Sequence, residues 1–306
     1  MFKKLPKYIL ALIGLTILFT SCKKEYESIQ SVDSKKITDF IVANNLTNLM
    51  VEDSAKTGYY YQILSQGTGA QLKTTDSVLY NGVLTGLDNR TVYGNSATPG
   101  NVNLGTLVGY TNALNGVTIT AIRDVMLKLK RGGIARILLP SHLAYGKNGS
   151  GDIPSNQNMD ITITTYADTT QAQRDDRLIS EFVASKGLSM IKDPSGVYYS
   201  ISAVGSGTYP ITVNSTVSAN YTGRYIDGTV FQSSTDAVDF NFSPVEGNLG
   251  VSGWRYVMPG KVEKDGKIRM IIPSRLAYGT TGSGGTGGVP ANAILDFDVV
   301  VVSVMQ

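Results

Sequence analysis

Cysteine, histidine and tryptophan are nearly missing from this chain: Cys22, His142 and Trp254 each stand alone. One cysteine leaves no partner for an internal disulfide, so stability has to come from packed cores. One cysteine and one histidine cannot supply a zinc site of the usual ligand set or a Cys-His nucleophile pair, and no cofactor or metal is expected. A Ser-His-Asp arrangement would have to use His142, yet "PSHLAYG" is no nucleophile elbow, and this histidine reads as an exposed surface residue. The glycine-rich "GTTGSGGTGG" from Gly279 lacks the Lys-Ser/Thr ending of a phosphate-binding loop and leads into a strand; it reads as a mobile loop. A charge excess is missing too. The formal net charge is +3, and Lys3, Lys4 and Lys7 account for all of it, since no acid accompanies them. With no basic stripe interleaved with aromatics, nucleic acid is excluded as a partner.

Long apolar runs are equally scarce. The one that stands out, "YILALIGLTILF", is short for a membrane span and the right size for the hydrophobic part of a signal peptide. It ends in "LFTSC", where Thr20 and Ser21 precede Cys22, a layout that resembles a bacterial lipobox with Phe19 where leucine is more usual. The resemblance implies a signal peptide over 1–21, a lipid on Cys22 and an anchor in the outer membrane of the cell envelope, facing periplasm or cell surface. "KKEYE" and the polar stretch after it read as a flexible tether over 22–34.

What remains is said twice. "ITDFIVANN" from Ile37 is echoed by "ISEFVASKG" from Ile179, each with apolar residues at i, i+3 and i+4, one face of a helix. "TGYYYQILSQGTG" from Thr57 is echoed by "SGVYYSISAVGSG" from Ser195, and "SVLYNGVLTG" from Ser77 by "TVSANYTGRYIDG" from Thr216. "LPSHLAYG" from Leu139 returns as "IPSRLAYG" from Ile272. In the last strand Leu295, Phe297, Val299 and Val301 alternate with Asp296 and Asp298, so the apolar set faces a core and the acids face water. Two long copies mean tandem domains, 35–168 and 169–306, joined within the polar "ADTTQAQRDD" from Ala167. Many strands with little helix make each an α+β unit, an antiparallel sheet packed on a helix.

The ordered set "NYTGRYIDGTVFQSS", "GVSGWRYV", "IPSRLAYG", "VPANA" and "LDFDV" resembles the FKBP family of peptidyl-prolyl cis-trans isomerases. The resemblance implies, for each copy, a half-barrel sheet wrapped around a short helix, here preceded by an extra N-terminal helix, with a proline pocket between sheet and short helix. Position by position it implies Trp254 as the pocket floor and Tyr221, Phe231, Phe240, Phe242, Val251, Val289 and Phe297 as its walls. Tyr278 and the Val251 N–H would bind substrate carbonyls, and Gln232 stands where the family has an aspartate. In the first copy Tyr80, Tyr145 and Ile153 look retained, but the floor becomes Ile122, with Ala121 before it, the wall phenylalanine becomes Ile161, and Tyr93-Gly94 replaces Phe-Asp.

The expectation is therefore a monomeric isomerase of proline-containing polypeptides, working through its second domain and slowed by Gln232. A non-catalytic peptide-binding lipoprotein on the same scaffold, or a structural protein of the cell surface, remains the alternative.

Overall fold

The computed structural model describes residues 27–94, 103–111, 113–114, 117–244, 249–284 and 288–306. The expected signal segment, Cys22 and the first part of the tether lie outside them, as do residues 285–287 of the glycine-rich loop. Helix α1 (Ile29–Ala43) starts where the Ser28 hydroxyl accepts the Ser31 N–H at 3.2 Å. The tether expected to reach residue 34 therefore ends earlier, because a capping serine and the buried Asp33, Ile37 and Ile41 commit this stretch to helix. Asn45, at φ 58, stops it, and the Leu46 N–H turns back to the Ile41 carbonyl at 2.8 Å. Strands β1 (Val51–Glu52), β2 (Tyr60–Ser65), β3 (Ser77–Gly86), β4 (Val92–Gly94) and β5 (Asn103–Leu107) follow. The small hairpin β6 (Ala113–Leu114) and β7 (Val117–Thr118), helix α2 (Thr120–Met126), β8 (Ile134–Leu139) and β9 (Met159–Thr165) complete the first domain. Its antiparallel sheet runs β1-β2-β8-β9-β3-β4, with β5 also on β3.

The second domain repeats the plan. Helix α3 (Gln171–Ser185) is capped by Thr170 and ended by Gly187 at φ 60, the counterpart of Asn45. Then come β10 (Ile191–Lys192), β11 (Tyr198–Ala203), β12 (Thr216–Tyr225), β13 (Val230–Ser233), β14 (Val238–Asn241), the one-turn helix α4 (Trp254–Val257), β15 (Lys267–Ile272) and β16 (Leu295–Met305). The sheet order is β10-β11-β15-β16-β12-β13, with β14 also on β12.

Each sheet is covered on both faces. One face packs on α2 or α4 in the main core, where Ile122 or Trp254 is buried. The other packs under the leading helix, through Ile37 and Ile41 against Leu138 in the first domain and Ile179 against Ile271 and Ile294 in the second. That second cover changes the fate of the strand acids expected to face water. Asp296 is buried and accepts both ends of the Arg269 guanidinium at 2.9 and 2.7 Å; Asp160 does the same for Arg136 at 2.8 and 2.7 Å. A carboxylate can be buried beside a helix when a bidentate arginine satisfies it. Asp298 stays half-exposed, bonded to Arg224 at 2.6 Å. His142 departs from expectation as well: its side chain keeps only 25% of its exposure, with Nδ1 3.5 Å from the buried Asp33 carboxylate.

Removing Asp296 leaves Arg269 without its main partner. Since that arginine is 30% exposed, Asp296→Ala should cost the second domain about 2–3 kcal/mol, less than a fully buried pair would lose. Urea unfolding followed by Trp254 fluorescence, which reports on this domain alone, measures it.

Candidate functional site

Five aromatic residues expected in the pocket converge on the inner face of the second sheet. Trp254 opens α4 and keeps 2% of its surface in contact with solvent. Its ring meets Phe297 at 5.4 Å and Tyr221 at 5.9 Å, both nearly perpendicular, and Phe240 at 4.6 Å with a 50° tilt. Phe231 stands edge-on to Phe297 at 5.7 Å. Edge-to-face packing of this kind aligns the positive rim of one ring with the negative face of the next. Phe242, Val251 and Val289 belong to the same buried cluster, and Tyr278 packs against it. The indole Nε1 is buried with no hydrogen-bond partner among the described residues. The indole is a covered floor in this conformation, and Phe240 is the ring lying closest to it. A cleft of about 170 Å³ opens elsewhere, between α3 and residues 292–294, and reaches Tyr225 instead of Trp254.

Local backbone features make room for the rings. Gly223 pairs with Phe297 across β12 and β16; a Cβ there would lie 2.6 Å from Phe231 Cζ and 2.8 Å from Phe297 Cε1. Sequence reasoning passed over this glycine, although the "YTG" after Asn220 carried it. Gly250 adopts φ 66, and a Cβ on it would sit 3.6 Å from the Tyr278 hydroxyl, so that hydroxyl overhangs the turn entering α4. In the same turn the Val251 N–H donates to the Leu249 carbonyl at 2.6 Å. The donor expected to face substrate is thus engaged internally. Burial raises the pKa of Tyr278; it raises that of Tyr221 too, with the neighbouring Tyr278 adding to the effect. Both phenols therefore stay protonated donors throughout the neutral range. Gln232, paired with Gly223 in the β12–β13 register, is exposed and no hydrogen bond ties its side chain to the tyrosines among the described residues.

The first domain presents a different inner face, and strand register explains it. Asp160 and Asp296 take equivalent arginines, so Ile161 and Phe297 are equivalent. Opposite them stand Leu84 and Gly223; two residues earlier stand Gly82 and Tyr221. Tyr80 thus occupies the station of Ala219, two residues from where the sequence likeness put it. The slip of two keeps the side chain on the same face, and the repeated Tyr-x-Gly pattern hides it. Gly82 removes the pocket tyrosine, and the buried Leu84 grows from the strand where the second domain has the Phe231 and Phe297 rings. Ile122, Ile153 and Ile161 fill the rest of the core. Tyr145 is at the place of Tyr278 but keeps only 5% exposure, its hydroxyl buried without a partner among the described residues and its pKa pushed up to about 12 by burial.

Two α+β domains built on one plan, one with a room for rings against an indole and one with that room filled, define a duplicated half-barrel fold with a single candidate pocket. The chain belongs to the FKBP-type peptidyl-prolyl cis-trans isomerase family, whose profile matches residues 68–165 and 207–302. It is 37% identical over 115 residues to the macrophage infectivity potentiator of Trypanosoma cruzi, which covers 37% of this chain and 56% of that protein. It is 36% identical over 131 residues to a probable FKBP-type peptidyl-prolyl cis-trans isomerase of Haemophilus influenzae, 42% and 50% of the two chains. The chain spans about half the length of these curated relatives. Among solved structures it is similar to FkpA from Escherichia coli, with 29% identity, TM-score 0.36, and coverage of 44% of this chain and 60% of that one.

Gly223→Ala should force the buried Phe297 ring to move, at a cost of about 1–3 kcal/mol for overpacking. A shift of the Trp254 emission in the folded variant is the expected sign; emission identical to wild type would mean that the rings have slack to spare.

Proposed function

We propose that the second domain is a peptidyl-prolyl cis-trans isomerase acting on proline-containing polypeptides and that the first domain is a non-catalytic companion. The observation that carries this reading is the contrast at one register position, Gly223 against Leu84, which leaves aromatic walls around Trp254 in one copy and a filled core in the other. Rotation about a peptide bond is opposed by about 18–20 kcal/mol of resonance, and only X–Pro bonds populate both isomers appreciably. The reaction makes and breaks no covalent bond. A twisted amide has less charge separation than a planar one, so water favours the planar form and a dry aromatic surface removes that bias. The neutral phenols of Tyr221 and Tyr278 can hold flanking carbonyls while the ring packs against Phe231, Phe297 and the indole. An acceleration of ~10³ needs about 4 kcal/mol, which desolvation and a few positioned contacts can supply. To admit a pyrrolidine, Phe240 has to swing off the indole and the Val251 N–H has to leave the Leu249 carbonyl.

We further propose that the protein works in the cell envelope as a monomer, held to the outer membrane by a lipid on Cys22. The support is the lysine-led apolar segment and the "LFTSC" pattern. No helix among the described residues is long and apolar enough to cross a membrane.

The covered indole favours one second reading, a binding module that grips apolar peptides at the rim formed by Tyr221, Phe231 and Tyr278 without turning them over. A proline-peptide isomerisation assay alongside titration of Trp254 fluorescence with a pocket-filling macrolide separates the two. Turnover reduced by Phe231→Ala and Tyr278→Ala, and unaffected by Ile122→Ala, is the expected result; quenching without turnover favours the binding module. Gln232→Asp should raise kcat/KM, by less than about tenfold because an exposed carboxylate acts through solvent. No gain would remove position 232 from the account.

A further inference from the structure

In the second domain the family profile matches only from residue 207, so α3 lies outside it, yet α3 supplies a fully buried carboxylate to that domain. Asp175 Oδ2 accepts the Ser274 N–H at 2.8 Å and the Ser274 hydroxyl at 2.7 Å, while Oδ1 accepts the Gln171 amide at 2.7 Å. Every one of these partners donates; burial raises the pKa of the carboxyl, and these bonds work against that rise. Ser274 begins the tight turn Ser274–Leu276, whose carbonyl takes the Ala277 and Gly279 N–H groups at 3.0 and 2.9 Å on either side of Tyr278. From the same turn the Leu276 carbonyl accepts the Gly253 N–H at 2.8 Å and the Ser252 hydroxyl at 3.1 Å, immediately before Trp254. One carboxylate therefore lies under the segment that carries the tyrosine and, one hydrogen bond further, under the segment that carries the indole.

We propose that Asp175 is a positioning residue of the second-domain site, acting through Ser274 to fix Tyr278 and Trp254 relative to each other, so that the leading helix is part of the isomerase unit. The effect on turnover rests on the isomerase reading above; the effect on the indole does not. The first domain holds a natural control. Asp33 accepts the Ser141 N–H at 3.0 Å and the Ser141 hydroxyl at 2.7 Å in the same way, beneath a turn that leads to the enclosed Tyr145.

The test uses the full chain with Asp175→Asn, Asp175→Ala, Ser274→Ala and Asp33→Ala, following kcat and KM for a proline peptide and the emission of Trp254. Asp175→Ala and Ser274→Ala should lower kcat/KM by roughly ten- to a hundredfold, the cost of misplacing groups by a fraction of an ångström to an ångström. The loss should fall mainly on kcat, with a shifted Trp254 emission at temperatures where circular dichroism reports a folded chain. Asp175→Asn, which keeps one acceptor, should fall between, and Asp33→Ala should leave both readouts unchanged. If Asp175→Ala does not fold, Asp175→Asn and Ser274→Ala decide. Folded variants of these two with wild-type emission and wild-type kcat/KM would overturn the proposal. A wild type without turnover, combined with shifted emission in the Asp175 variants, would sink the isomerase reading and leave the positioning role standing.

Discussion

The pairing of Gly223 with Phe297 across β12 and β16 leaves room on the strand for two rings that a side chain at this station would displace. Phe231 and Phe297 take that room, the indole packs edge-on against Phe297, and the phenols of Tyr221 and Tyr278 stand half-exposed beside them. In the first domain a leucine at the same station takes that room from within the strand. A protein interior packs at crystal-like density, so rings can lie against a strand in this way only where the strand gives up its own side chain. The aromatic neighbours define the chemistry of this face, and the glycine decides whether they fit against it.

Several contacts recur in the two copies with the same geometry. Both sheets bury a carboxylate held bidentately by an arginine, both leading helices end on a residue at positive φ, and both lock a carboxylate onto a Pro-Ser turn. The divergence is concentrated on the inner face. A scaffold with two covered faces can lose one function-bearing surface and still fold, because the leading helix and its ionic pairs stabilise the opposite face independently. That separation explains how the first domain can be a well-packed body while its inner face has become an ordinary aliphatic core.

Much of the fold was legible in the chain. The i, i+3, i+4 spacing at Ile37 and Ile179 and the alternation from Leu295 to Val301 found their helices and strands, since those periods follow from backbone geometry. Four things were not legible, each for a physical reason. The acids alternating with Phe297 looked solvated because sequence does not say that a helix, far away in the chain, will cover the second face. Tyr80 looked like the counterpart of Tyr221 because a slip of two residues preserves both the face and the Tyr-x-Gly pattern; only the pairing with β9 reveals it. His142 looked exposed because its neighbour Asp33 lies 109 positions earlier, and nothing local announces the contact. The burial of the indole among Phe240, Tyr221 and Phe297 is likewise a matter of ring placement, which composition cannot convey.

The two-residue edge strands β1 and β10 have a bearing on how such a chain is made. Two look-alike domains on one polypeptide meet at high effective concentration as they emerge during synthesis, and exchange of equivalent strands is the typical error of tandem repeats. An edge only two residues long offers a stray strand almost nothing to zip onto. The far side of each sheet is split between two short partners, β4 with β5 and β13 with β14, so it too denies a newcomer a continuous ladder. The blunt margins that close each sheet also keep siblings from trading parts.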